Sequence, residues 1–177
     1  MDHPEVRLEP WSDFDLDLLR RNNVPEMMTY LGGPETEEQL VARHARYLEY
    51  WRLGTARMFR VVIPGVPQGV GAVGYWDKTW RDTLVYEAGW SIQPEFQGRG
   101  IARRAVTAAL EYAAQVGSRR YLHAFPSIEN APSNALCRSV GFMLLSECDF
   151  EYPPGHMMRC NDWKFDLDQL PRDPKPV

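Results

Sequence analysis

A single α+β domain is the fold class the sequence predicts, and three observations predict it. Strand-like apolar runs occur at seven places and helical spacing at four, interleaved along the chain. At 177 residues there is enough chain for one domain with a full core and barely enough for two. Internal repeats and low-complexity runs are absent, apart from Pro171 to Val177, a tail rich in proline and charge that is expected to be disordered. The domain is therefore expected to span residues 1–170.

Val6 to Pro10 can open the fold as a short strand. Ser12 suits an N-cap for a helix to about Asn22, with Phe14, Leu16, Leu18 and Leu19 as its apolar contacts. Pro25 to Gly33, rich in Met and Tyr, reads as a loop or short helix. A second helix is expected from about Glu35 to Arg52, because Leu40, Ala45, Leu48 and Trp51 lie near helical spacing. From Met58 the pattern changes to strands: Met58 to Ile63, Val70 to Trp76 and Leu84 to Ile92, with a turn at Pro64 to Gly69. An alanine-rich helix runs to about Val116, where Gly117 is expected as the C′ residue. Tyr121 to Phe125 is a strand, and Asn130 to Val140 is a helix with proline in its first turn and Gly141 as its stop. Phe142 to Phe150 and Met157 to Phe165 are expected to pair across Pro153-Pro154-Gly155.

Composition excludes several functions. A net charge of -4 argues against a nucleic-acid-binding surface. The three cysteines, Cys137, Cys148 and Cys160, have neither disulfide-framework nor metal-ligand spacing, so no metal is expected and reduced thiols suggest the cytoplasm. The segment Met1 to Glu5 lacks a signal-peptide pattern, and no apolar run approaches the roughly 18 residues of a membrane span. A soluble, cytoplasmic protein with no membrane partner is expected.

The most informative segment is Gln97-Gly98-Arg99-Gly100-Ile101-Ala102-Arg103, between a strand and a helix. Glycines at such a junction let backbone N–H groups converge where the helix dipole favours negative charge. A pyrophosphate cradle for a nucleotide-like cofactor follows, with a plain glycine-rich turn as the alternative. The Lys of a Walker loop is missing, and Arg103 stands where a dinucleotide fingerprint needs its third glycine. Arg99, Arg103, Arg104, Arg119 and Arg120 read as a basic cluster near the loop, or as ordinary solvated helix charge.

The remaining pattern, Gln-x-x-Gly-x-Ala, resembles the acetyl-CoA loop of the GNAT N-acetyltransferase superfamily. A second match is Asn130-Ala131-Pro132-Ser133, followed by Gly141-Phe142, which resembles the Asn-x-x-Ser…Gly-Phe segment of the branch that includes ribosomal-protein N-terminal acetyltransferases. The order of elements is similar to that family from the opening strand to about Leu167. The resemblance implies a central mixed, mostly antiparallel sheet of about seven strands with about four helices, acetyl-CoA as donor, and a monomer or homodimer.

It also implies site residues. The pyrophosphate would meet the backbone of Gly98, Arg99, Gly100, Ile101 and Ala102, flanked by Gln97 and Arg103. The pantetheine arm would pair with Trp90, Ser91, Ile92 and Gln93, on a strand that the family bulges and that Gly89 would ease. Asn130 and Ser133 would contact the cofactor arm, Asn130 being equally suited to cap its helix. Glu87, flanked by Tyr86 and Trp90, is the candidate general base, with a solvent-facing glutamate as the alternative. Many members carry a tyrosine acid five residues before the Phe of Gly-Phe. Here that position is Cys137, a candidate acid or a buried packing residue. The acceptor is expected to meet Met27, Met28, Tyr30, Trp76, Trp80, Tyr152 and His156. Asp77, Asp82 and Glu151 would favour a charged amine, and ordinary core and loop roles are the alternative. The expected activity is direct acetyl transfer to a primary amine of a small molecule or protein N-terminus. A non-catalytic acyl-CoA sensor and a nucleotide-binding protein of another fold are the alternatives.

Overall fold

A computed structural model describes residues 4–171, so the expected tail lies almost wholly outside the described residues. Its elements are β1 (Arg7–Pro10), α1 (Leu16–Asn22), α2 (Pro25–Met28), α3 (Glu37–Leu53), β2 (Ala56–Ile63), β3 (Val66–Trp80), β4 (Thr83–Ile92), α4 (Ile101–Val116), β5 (Tyr121–Ala124), α5 (Ala131–Val140), β6 (Met143–Glu151) and β7 (Met157–Asp166). The strands form one sheet in the order β1-β2-β3-β4-β5-β7-β6. Every pairing is antiparallel except β4 with β5, which is parallel. The expected mixed sheet of seven strands is present.

One face of the sheet packs against α4 and α5. On α4, Ile101, Ala105, Val106, Ala109, Leu110 and Ala113 recur at helical spacing and are buried. They meet Tyr75, Tyr86 and Leu122 of the sheet in one core with Trp163 and Phe165. On the other face, Leu18 and Leu19 of α1 and Leu40 of α3 cover Met58 and Ala72. A third cluster, Phe125, Cys148, Phe150 and Cys160, lies over the β5–β7–β6 end with Trp80 packed against it.

Several local expectations shift. The first helix begins as a 3-10 turn, Asp13–Asp15, with Ser12 in the expected capping position, and only then becomes α1. The third strand starts at Val66 and runs to Trp80, far beyond the expected Val70 to Trp76. Gly117 is not left-handed but extended, at φ -80. It is glycine because a Cβ would lie 2.3 Å from the Ala113 carbonyl oxygen and 2.9 Å from the Tyr86 ring. No helix among the described residues is long and apolar enough to cross a membrane.

Candidate active site

The parallel pairing of β4 and β5 is very short. Tyr86 pairs with Leu122 and Glu87 with His123, and there the ladder stops. Beyond it, Ala88 to Ile92 remains paired with β3 on one side and open on the other. The sheet thus forks, exposing a row of backbone N–H and C=O groups. Strands of this kind attract another extended chain. The β3–β4 register is continuous through the fork, so the expected bulge is absent. Gly89 serves a different purpose: a Cβ there would lie 2.9 Å from the Trp76 ring.

At the end of the open edge lies the glycine loop. Gly98 and Gly100 both have φ 73, a region that L side chains rarely enter. The first helical bond of α4 runs from the Arg104 N–H to the Gly100 oxygen at 3.2 Å. The N–H groups of Gly98 through Arg103 have no acceptor among the described residues. Six donors converging at a helix start make an anion site with its own field. Gln97 braces the loop, its Nε2 donating to the Ile92 oxygen at 2.8 Å. Arg99 reaches back to the Glu95 oxygen at 2.8 Å. Arg103 is exposed beside the loop. Arg119 and Arg120 do not join this basic cluster. They pair with Asp77 at 3.0 Å and Asp166 at 2.8 Å, beyond the other end of α4.

A pantetheine arm with a pyrophosphate fits these two features, since an open strand edge satisfies amides and the orphan donors take the phosphates. The neighbouring side chains are already spoken for. Ser91 Oγ accepts from Asn22 at 3.1 Å, and buried Gln93 donates to Asn22 at 3.1 Å. Trp90 packs on the core, and Ile92 and Ile101 are buried. An arm and phosphates held here would meet backbone, not these side chains. Asn130 caps α5, its Oδ1 accepting from the Ser133 N–H at 3.2 Å. Asn134, which the sequence reading passed over, is the buried hub of that region. It accepts from Asn161 at 2.7 Å and from Trp163 at 2.9 Å.

Glu87 stands at the fork. Its side chain is only 14% exposed and lies 3.3 Å from Lys78 Nζ. Burial pushes its carboxyl up, against the opposing pull of Lys78. A carboxylate so placed is a proton acceptor. Cys137, by contrast, is sealed at 0% exposure in the core beside α4. Burial pushes its thiol up to about 12. Of the two roles expected for Cys137, this environment suits the buried packing residue.

The Glu87 face lies across the sheet from α4. Trp76, Lys78 and Trp80 alternate along β3 on the Glu87 face. Tyr50 of α3 is within electrostatic reach of Glu87, Tyr47 and Arg46. Tyr152, at the end of β6, faces Tyr47, Arg43, Glu35 and Arg46. The loop after α2 spans the gap: Tyr30 donates to the Glu129 oxygen at 3.2 Å, and Gly32 abuts Pro153. Met28 is buried and Met27 half-buried. His156 is an exposed turn residue whose N–H donates to the Pro153 oxygen at 2.9 Å. Asp77 is paired with Arg119, and one oxygen of Glu151 accepts from the Gly155 N–H at 2.7 Å. Asp82 sits in the β3–β4 turn at φ 61.

The sequence reading also missed His123 and Asp162, a buried pair at 2.6 Å on the Glu87 face. The period-two alternation of β5 and β7 was the available signal. Among the described residues no group of three or more His, Cys, Asp or Glu side chains is arranged to hold a metal.

The model of the acetyltransferase (GNAT) domain matches residues 5–143. Solved structures share the fold. The ribosomal-protein-S5-alanine acetyltransferase of Vibrio fischeri is 22% identical, with TM-score 0.74 and 95% of each chain covered. An acetyltransferase of Salmonella typhimurium that modifies the N-terminal serine of ribosomal protein L7/L12 is 17% identical, with TM-score 0.74, covering 91% of this chain and 94% of that one. Spermidine N-acetyltransferase of Vibrio cholerae, solved with CoA and spermine, is 20% identical with TM-score 0.72, covering 92% and 96%.

Proposed function

Since this chain belongs to the GNAT acetyltransferase family and is an acetyl-CoA-dependent N-acetyltransferase, we propose that it acetylates the primary amine of a protein N-terminus or small molecule by direct transfer, with Glu87 as general base. The observation that carries the reading is the position of Glu87: a buried carboxylate at the point where β4 and β5 part. The structural neighbours named for ribosomal-protein N-termini and for spermidine support the two acceptor classes.

Acetyl-CoA supplies an activated thioester carbon. The chain's work is to hold it and to handle protons. The open edge from Ala88 to Ile92 fixes the arm and the N–H cradle fixes the phosphates, so the thioester is held at the fork. Holding two reactants in line is worth up to roughly 7–11 kcal/mol in good cases. Glu87 takes a proton from the incoming amine, adding typically about 10²- to 10⁴-fold. Lys78 holds that carboxylate in place. Tyr47, Tyr50, Tyr152 and Trp76 form an aromatic wall for the acceptor. Three free cysteines favour a cytoplasmic site of action.

The test is thermal stability titrated with acetyl-CoA, CoA, ATP and NAD, then thiol release with peptides and small amines. Saturation at about 100 times Kd adds roughly 2.7 kcal/mol to the folded state. A shift with acetyl-CoA and CoA, followed by amine-dependent thiol release, is the expected result. Tight CoA binding without turnover of any amine would replace the enzyme with a sensor.

A further inference from the structure

An ammonium acceptor must lose two protons to become an amide. One leaves before attack, because the nitrogen needs its lone pair, and one leaves after attack. A single carboxylate that has taken the first is still occupied when the second departs. The chain holds a second acceptor beside Glu87. His123 is the Cα partner of Glu87 across the β4–β5 pairing, so both side chains project from the same face of the sheet. Its Nδ1 lies 2.6 Å from Asp162 Oδ1. Asp162 is completely buried and its other oxygen accepts from Trp80 Nε1 at 2.9 Å.

Asp162 is built to stay ionised. Burial alone would raise its carboxyl, but the hydrogen bonds from His123 and Trp80 outweigh burial and hold it below its ordinary value. An ionised Asp162 fixes the imidazole with its Nδ1 proton toward β7, which leaves Nε2 as the free acceptor. The buried nitrogens without a partner among the described residues belong to Arg43, Arg57 and Arg60. His123 Nε2 makes no hydrogen bond among the described residues, and its side chain is 6% exposed. The ring itself is held flat under Phe125, at 5.8 Å and 15°.

We propose that His123, oriented by Asp162, is a relay residue that takes the first proton from Glu87 and frees that carboxylate for the second. The inference rests on the acetyltransferase reading above. The balance is simple. The ammonium gives a proton to the Glu87 carboxylate, and the Glu87 carboxyl passes it through a bridging water to His123 Nε2. The imidazolium that results faces ionised Asp162. The neutral amine then forms the C–N bond as the C–S bond breaks, and its second proton passes to Glu87 and from there to the departing thiolate. The imidazolium returns its proton to solvent. Other titratable groups face this pair: Lys78 from β3, Tyr121 from β5, Cys148 from β6, Cys160 and Lys164 from β7, and Tyr50 from α3. Lys78 is engaged by Glu87, and Lys164 Nζ lies over the Tyr121 ring at 4.7 Å.

The test is His123→Gln and Asp162→Asn in the full chain, with single-turnover rates for the best peptide or small amine found for the wild type. Rates are compared below and above the acceptor's own pKa, which for a peptide α-amine is about 7.7–8.0. Below it the acceptor brings two protons, and the variants are expected to lose roughly tenfold or more. Above it the acceptor arrives neutral, and the loss should shrink to less than about twofold. Should His123→Gln not fold, Asp162→Asn carries the same comparison, with the thermal shift on CoA reporting an intact cofactor site. A loss equal on both sides, or absent on both, overturns the relay while leaving the enzyme reading intact. A wild type that binds CoA but turns over no amine overturns both.

Discussion

Replacing Glu87 with Gln should cripple the chemistry without weakening the fold. The side chain keeps its size, so packing at the fork is unchanged. What disappears is a proton acceptor and one partner of an ion pair. Losing the acceptor costs about 10²- to 10⁴-fold in kcat, equivalent to about 2.7–5.4 kcal/mol of barrier. The ion pair is the counterargument. At the 3.3 Å separation from Lys78 its gross attraction at an effective dielectric of 20 is about 5 kcal/mol. Removing a carboxylate 14% exposed from the fold recovers a desolvation cost of several kcal/mol, and Lys78, itself 30% exposed, can turn to water. The raised carboxyl of Glu87 says which side prevails: burial outweighs the lysine. Between the ordinary and the raised value the folded chain holds a proton at Glu87 that the unfolded chain has released. Wild-type stability from this group is full below about pH 4.3 and is lost as pH rises through the raised value. At neutral pH Glu87→Gln should match or exceed the wild type, within about 1 kcal/mol, and near pH 4 the advantage should vanish. Thermal unfolding at both pH values, beside thiol-release kinetics, measures it. A variant destabilised by more than about 1 kcal/mol at neutral pH, or one retaining a tenth of wild-type kcat, refutes the reasoning.

Three further outcomes can be checked. Cys137→Ala should leave kcat within about twofold while costing about 1 kcal/mol in thermal unfolding, because the thiol is a packing group and not an acid. Gly100→Ala should strain a left-handed residue by roughly 1–2 kcal/mol and weaken CoA binding about tenfold or more, visible as a lost thermal shift with CoA. Asn134→Ala should cost about 2–3 kcal/mol in denaturant unfolding, since it strands the buried Trp163 Nε1 and frees Asn161.

The cradle was legible because it is a backbone device. Two glycines at a strand–helix junction specify positive φ and orphan donors with no help from distant residues. The helices α4 and α5 were legible from equally local signals: alanine content for the first, and a first-turn proline with Gly141 as the stop for the second. Glu87 was legible as a candidate because the resemblance singles out the strand that precedes the loop. His123 and Asp162 were not, because their meaning depends on β5 lying between β4 and β7, a pairing 39 residues apart in the chain. For Cys137 the sequence left acid and packing residue both open, because counting along the helix gives a position but not the face it turns to. Gly117 and Gly89 were read for their conformational freedom, when what requires them is the bulk of Tyr86 and Trp76. The loop lies in local geometry; the proton machinery lies in tertiary contact.

The fork has a consequence for the life of the molecule. Its two wings, β1 to β4 and β5 to β6, are stitched along the sheet by only two residue pairs, Tyr86–Leu122 and Glu87–His123. The sheet therefore has a seam, and a donor held as proposed would lie along it like a zip. When acetyl-CoA is abundant the seam is closed and opening excursions are suppressed by mass action. Without it, the two wings rely on those two pairs, on the shared core and on side-chain bonds across the seam such as Trp80 to Asp162. A chain built this way ties its own persistence to the supply of what it consumes.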